Sequence, residues 1–209
     1  MAESTISTNA DLLSCYPETN HPDDALVEAL RKGETAAFEL TFRAYKNLVY
    51  NLSYRILLNR EDALDVSQEV FLTVFQKITS FRGDCSLKSW LFRITFNKSL
   101  NKRKWWNRRG KSRTEPLTLL HAERIGNGHR DRPDVSCLSH EIEHLVRGSM
   151  EKLPVVQRAA ILLRDLEGCS YEEIAEITGT SIGTVKSRIA RARAAIQLNL
   201  GNSLRGRMP

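Results

Sequence analysis

No stretch of this 209-residue chain approaches the ~20 consecutive apolar residues that a bilayer-spanning helix requires, so direct membrane insertion is not expected. The opening Met1-Ala2-Glu3-Ser4 lacks the basic and apolar segments of a secretory signal, which points to a cytoplasmic protein. Cysteine is sparse. Cys15, Cys85, Cys137 and Cys169 lie far apart and form no Cys-x-x-Cys pair, so reduced thiols are expected rather than a disulfide framework. There is no Gly-rich phosphate loop and no persuasive Ser/His/Asp arrangement. Catalysis by this chain is therefore not expected, and no cofactor is implied. Aromatic residues make up only 7% of the chain, strand-like alternation is missing, and no internal repeat occurs. These absences disfavour a β-sandwich or a repeat array and leave an all-α fold.

What is present is helical periodicity in two blocks. Residues 1–22 are rich in Ser, Thr and Asn and read as a disordered tail. Ala25, Leu26, Ala29 and Leu30 then share a face, with Gly33 as a stop. Phe38, Phe42, Tyr45, Val49, Leu52 and Ile56 alternate spacings of four and three, which predicts one buried stripe on a long helix broken at Asn59-Arg60. A second long helix spans about Glu61 to Ile78, with Ala63, Leu64, Val66, Val70, Phe71, Val74, Phe75 and Ile78 as its apolar set. After a loop at 80–86, a third helix from Leu87 to about Lys104 buries Leu87, Trp90, Leu91 and Ile94. These segments predict a first domain over 23–107. Residues 108–138 are polar and irregular and read as a linker. A second domain is expected over 139–201, followed by a tail at 202–209. Its first stripe is Leu145, Val146, Met150 and Leu153. Pro154 then suits the first turn of a helix carrying Val155, Ala159, Leu162, Leu163 and Leu166, ended by Gly168.

The second domain ends in a DNA-reading pattern. Ser170-Tyr171-Glu172-Glu173 has the form of a capping box, which opens a short helix through Ile174, Ala175 and Ile177. Gly179 suits a left-handed turn, and Thr180 or Ser181 can cap the helix that follows. That helix is expected to bury Ile182, Val185, Ile189, Ala192 and Ile196. Its other faces display Thr184, Lys186, Ser187, Arg188, Arg191 and Arg193. A capped helix, a tight turn and a second amphipathic helix with exposed donors make a helix-turn-helix. The chain carries a net charge of +6, and no acidic residue occurs from Lys186 to Pro209, so the local field favours DNA. The plainer alternative is a solvated basic helix in an ordinary bundle.

Two features of the first domain also point outward. Asp65, Glu69, Leu72 and Gln76, with Gln68 beside them, form a stripe opposite the expected core of the second helix; it is either a solvated face or a docking surface. Lys98, Lys102, Arg103, Lys104, Arg108, Arg109, Lys111 and Arg113 follow one another with no intervening acid, and Trp105 and Trp106 lie among them. Interleaved cations and aromatics suit a strand whose phosphates need neutralising and whose bases can stack.

These residues resemble a known family. Asp62-Ala63-Leu64-Asp65-Val66-Ser67-Gln68-Glu69-Val70-Phe71 is similar to the core-polymerase-binding helix of alternative sigma factors. Ser80-Phe81-Arg82-Gly83-Asp84, with Ser89 to Ile94 and Asn97, resembles their promoter-melting element. Leu153-Pro154, Tyr171 to Ala175 and Gly183 to Arg193 resemble their helix-turn-helix. The group is the extracytoplasmic-function (ECF) sigma factors of the sigma-70 family, which keep two domains and a linker. The resemblance implies that Asp65, Gln68, Glu69 and Leu72 grip core RNA polymerase. Phe81, Asp84 and Cys85, with Asn97, would capture a flipped base of the −10 element, and Asn101 and Lys104 on the basic helix would hold the non-template strand. Thr184, Lys186, Ser187, Ala190 and Arg191 would read the −35 element, with Arg188 and Arg193 on phosphates. The partners implied are core RNA polymerase, promoter DNA and an anti-sigma factor. Opening about ten base pairs forfeits on the order of 14 kcal/mol of stacking, more than a small lone reader supplies, so weak DNA binding is expected without polymerase.

Two other readings stay open at this point. A helix-turn-helix repressor would use the second domain alone and pair on a palindrome, whereas a sigma factor reads two unlike elements with no stable homo-oligomer. Cys137, His140 and His144 offer three nearby metal ligands, but a structural zinc site normally takes four; no metal is expected.

Overall fold

The computed structural model describes residues 23–109 and 145–205. The expected tail at 1–22, most of the linker, the Cys137/His140/His144 group, Lys111 and Arg113 lie outside the described residues. Eight α-helices and one 3-10 turn occur among the described residues, with no strand. The all-α expectation holds.

The chain divides into two compact units. The first contains α1 (Asp24–Arg31), α2 (Thr35–Leu57), α3 (Arg60–Lys77), a 3-10 turn (Ile78–Ser80) and α4 (Leu87–Arg108). Gly33 takes φ +77°, the left-handed conformation that ends α1 without a Cβ penalty. Leu58 (φ 59°) closes α2, and the Asn59 side chain accepts the Asp62 amide at 2.9 Å to open α3. The break therefore falls at Leu58-Asn59, and Arg60 already belongs to α3. The α4 N-terminus is capped twice. Ser86 Oγ accepts the Ser89 amide at 3.1 Å, and the buried Asp23 carboxylate accepts the Leu87 amide at 3.0 Å from 64 residues away. A carboxylate among the unsatisfied amides of a helix start also complements the helix dipole.

Helix α3 packs against both α2 and α4. The core gathers Leu26, Leu30, Ala37, Tyr45, Val49, Val66, Val70, Val74, Leu87 and Leu91. Burial of Tyr45, with Asp23 adding to it, pushes its phenol up to about 12. The expected apolar sets need correction. Phe42, Leu64 and Phe75 are exposed, and Val27, Ala37 and Thr41 are buried in their place or beside them. The α3 set was too wide for one face, since a helix buries a stripe near 100° and the surplus must point elsewhere. Helix α4 also outruns the expected end at Lys104 by one turn, to Arg108.

The second unit is built on α5 (145–151), α6 (Val155–Asp165) and α8 (Ile182–Arg205), with α7 (Tyr171–Thr178) leading into α8 through a tight turn. Helix α6 packs against α8. Pro154 sits one position before α6 rather than in its first turn. Arg158 is 3% exposed and donates to the carbonyls of Met150, Glu151 and Leu153 at 2.9, 2.9 and 3.0 Å. It thereby satisfies acceptors that the end of α5 leaves open. Val146, Leu166 and Ile182, expected in the core, are exposed. Helix α8 continues to Arg205, four residues beyond the expected boundary at 201.

Candidate functional site

Helix α3 presents two different surfaces. One is apolar. Leu64, Gln68, Phe71, Leu72 and Phe75 recur along it, and Leu72 and Phe75 are 61% and 63% exposed. The rings of Phe38 and Phe42 on α2 meet Phe75 and Phe71 at centroid distances of 4.7 and 4.9 Å. Between the two helices runs a groove of about 460 Å³ lined by these rings, Leu72 and Gln68. Scattered exposed apolar residues are ordinary, but a contiguous patch with organised rings marks a place where another molecule docks.

The other surface is acidic and turned toward α4. Lys98 Nζ lies 3.1 Å from Glu69 Oε2. Lys102 Nζ lies 2.9 Å from Asp65 Oδ2 and 3.4 Å from Asp62 Oδ1. Partial burial pulls the Lys102 ammonium down, but Asp65 and Asp62 outweigh it and leave the group above its ordinary value. The stripe read as Asp65, Gln68, Glu69, Leu72 and Gln76 is exposed throughout. Its acids face a helix of the same domain, while Gln68 and Leu72 face the groove.

The loop before α4 divides similarly. Phe81 is 6% exposed, and its ring lies 5.0 Å from that of Trp90. The Arg31 guanidinium donates to the Phe81 carbonyl. Phe81 therefore anchors the loop from inside, while its expected place was on a flipped base. Gly83 (φ +84°) turns the chain, Asp84 is exposed, and Cys85 is partly exposed. Burial pushes the Cys85 thiol up, which works against the thiolate that redox chemistry needs. Beyond the loop, Asn97, Asn101 and Lys104 are exposed along α4; Asn101 and Lys104 line a shallow concavity with Asn107 and Arg108. Trp105 carries Arg109 over its ring at 4.1 Å and meets Trp106 edge-on.

In the second unit the capping box closes in both directions. Ser170 Oγ accepts the Glu173 amide at 3.0 Å, and the Ser170 amide donates to Glu173 at 2.7 Å. Gly179 takes φ +62°, and Ser181 Oγ accepts the Thr184 amide at 3.2 Å to open α8. Val185, Ile189 and Ala192 are buried. Lys186, Ser187, Ala190 and Arg191 are exposed, and Thr184 is partly so. Lys186 leans toward the Tyr171 ring at 5.8 Å. Arg188, expected on a phosphate, lies within 3.5 Å of Thr180 Oγ1 and is half-buried. Arg193, also expected on a phosphate, has its guanidinium paired with Asp165 at 2.7 Å, which raises its already high pKa.

Comparison with known proteins decides the identity. The Sigma-70 region 2 family matches residues 41–110, and the Sigma-70, region 4 family matches residues 144–196. The chain is 40% identical over 179 residues to the ECF RNA polymerase sigma-E factor of Haemophilus influenzae, covering 84% of this chain and 93% of that protein. The chain belongs to the ECF RNA polymerase sigma factors. It is also 35% identical over 191 residues to the RNA polymerase sigma-H factor of Pseudomonas aeruginosa, covering 90% and 98% of the two chains. Among solved structures it is similar to the sigma factor RpoE of Bartonella quintana, crystallised with the anti-sigma factor NepR (TM-score 0.59, 27% identity, 78% of this chain and 96% of that one).

This sigma factor acts in promoter-specific transcription initiation with core RNA polymerase, and its family is a non-enzymatic class of transcription factors. No helix among the described residues is long and apolar enough to cross a membrane. Reading the sequence alone missed three features of this sigma factor. The Phe42 half of the apolar patch was hidden because Phe42 fits a buried periodicity. The engagement of Lys98 and Lys102 depends on another helix. Arg158 gave no signal, because its acceptors are main-chain carbonyls. Only the overfull apolar set of α3 was a usable warning.

Proposed function

We propose that this sigma factor docks core polymerase through the apolar patch of α2 and α3 and opens the −10 element on α4. On this reading it reads the −35 element on α8. The contiguous exposed cluster of Phe42, Leu72 and Phe75 carries the polymerase part: a soluble domain gains nothing by exposing it unless a partner covers it. Gln68 and Leu72 line the groove, and Asp65 and Glu69 lie close to them along the same helix. The exposed Asp84, Asn97, Asn101 and Lys104 and the partly exposed Cys85 support the −10 assignment; Phe81 holds the loop in shape. Thr184, Lys186, Ser187, Ala190 and Arg191 support the −35 assignment, with Arg188 at its edge and Arg193 positioning α8 through Asp165.

The domain limits follow the same logic: a region 2 domain over 23–109, a linker beyond it, and a region 4 domain from about residue 139 through Arg205. The chain performs no catalysis of its own and works in the cytoplasm, where its polymerase is. An anti-sigma factor is a further expected partner. The similar Bartonella quintana protein was crystallised with one, and the exposed apolar groove is a surface such a protein can cover.

Run-off transcription with purified core polymerase on fragmented genomic DNA of the source organism tests this. Discrete new transcripts are expected. Leu72→Asp with Phe75→Asp should abolish them while helicity is kept. Each buried apolar anchor contributes about 2 kcal/mol at an interface, so polymerase affinity should fall by roughly thirtyfold or more per site. Undiminished transcription by the double variant would remove the patch from the polymerase interface.

A further inference from the structure

The two surfaces of α3 raise a question about charge. Eight cations follow one another from Lys98 to Arg113, yet the first two in the series are already answered from within the domain. Lys98 faces Glu69, and Lys102 is held between Asp65 and Asp62. Lys98 lies one residue from Asn97 and three from Asn101; Lys102 lies next to Asn101 and two residues from Lys104. Both lysines therefore flank the exposed α4 face and, with long flexible stems, can swing onto a strand lying along it. Glu69 is next to the groove-lining Gln68 on α3, and Asp65 is three residues before it, so a partner docking in the groove arrives beside these carboxylates.

We propose that Lys98 and Lys102 are latent phosphate contacts, held by Glu69 and Asp65 in the isolated chain and handed to promoter DNA when core polymerase engages those carboxylates. This rests on α3 being the polymerase-docking helix and α4 the DNA helix. The two latches differ in strength. Glu69 and Lys98 are half and one-third exposed at their side chains, a weak pair that an outside partner can displace. Lys102 is more covered and keeps Asp62 even if Asp65 is taken, so it releases second and less completely. The coupling is reciprocal: phosphates that draw the lysines away leave Glu69 and Asp65 freer for polymerase, so each partner tightens the other. It also gives a physical cause for the weak DNA binding expected of the isolated chain, since two nearby cations are occupied. A purely static bracket between α3 and α4 would hold the helices together without altering DNA binding.

The test is a salt titration of the full-length isolated chain on a labelled non-specific duplex. Each added phosphate contact steepens the slope of log K against log salt by about 0.9. Glu69→Gln is expected to bind more tightly and to steepen the slope by about that amount. The variant-to-parent affinity ratio then changes about 3.5-fold between roughly 50 and roughly 200 mM salt. Asp65→Asn is expected to give a smaller gain, because Asp62 still holds Lys102. In a Lys98→Gln background the Glu69→Gln gain should vanish, and in preformed holoenzyme on promoter DNA Lys98→Gln should flatten the slope more than it does in the isolated chain. A gain that persists in the Lys98→Gln background would mean a general field effect and overturn the latch. An unchanged slope in Glu69→Gln, beside a flatter one in Lys104→Gln, would overturn the latch while leaving α4 as the DNA helix. An unchanged slope in Lys104→Gln as well would take away the DNA assignment of α4, and the proposal with it.

Discussion

Replacing Arg158 by Met should destabilise the second unit while leaving the first unchanged. The guanidinium is 3% exposed and donates to three main-chain carbonyls around the end of α5. Methionine keeps an apolar stem of comparable reach, so lost packing is small and the change isolates the polar end. Each charge-assisted hydrogen bond contributes about 1.5–3 kcal/mol. Part of the total returns because the variant no longer buries a cation, and Met150 and Glu151 are exposed enough to recruit water. A net loss of about 3 kcal/mol remains, a large fraction of the stability of a small domain. At 4–8 °C per kcal/mol for a domain of this size, the transition should fall by roughly 12–24 °C. The chain supplies its own probe. Its three tryptophans, Trp90, Trp105 and Trp106, all lie in the first unit. Far-UV circular dichroism should therefore show part of the helix melting early, with tryptophan fluorescence melting at the parent temperature. A dichroism shift below about 2 °C would refute the reasoning, as would a matching shift in fluorescence, since the two units have separate cores.

The remaining expectations concern the turn and the first core. Gly179→Ala should destabilise the second unit by about 1–2 kcal/mol through backbone strain alone, because φ is +62° and nothing lies within 4 Å of an added Cβ. Gly179→Asn should cost less, and thermal melts of the two variants distinguish strain from crowding. Tyr45 links stability to alkaline pH. Its folded pKa is raised from 10.0 to about 12, so its contribution is fully present below pH 10.0 and is lost as pH climbs toward 12. The loss should reach about 2–3 kcal/mol, measured as the difference in denaturant midpoint between the parent and Tyr45→Phe across that window. A parent and variant that lose stability in parallel would show that Tyr45 stays solvated when folded.

Much of the fold was legible because helices announce themselves locally. The capping box at Ser170-Glu173, the left-handed Gly179 and the stripe of Val185, Ile189 and Ala192 each depend on residues within one or two turns, and all are found as read. The boundaries of α4 and α8 were less legible. Helix α4 continues through Trp105 and Trp106 into basic sequence, and α8 runs through Gly201-Asn202, a pair that reads as a stop, so the local signals end before the helices do.

The site was legible in its residue types and misleading in their partners. A helical wheel ranks each side chain by its own polarity, so Phe42 read as core, while resemblance alone placed Phe81 on a flipped base; burial depends on what the neighbouring elements bring. Phe42 faces outward because Thr41 and Tyr45 already occupy the buried face of α2, and Phe81 turns inward because Trp90 and Arg31 receive it. Charge suffers the same ambiguity more sharply. A run of cations without acids in its own sequence looks like an unopposed field, yet Lys102 is answered by an acid 37 positions away. Arg193 is likewise answered by Asp165, 28 positions away. Pairing is a two-body property that spacing along one helix cannot express. The consequence runs in one direction for function. The net field of such a run overstates what the isolated chain offers to DNA, and the cations it withholds are those that sit beside the surface where polymerase is proposed to dock.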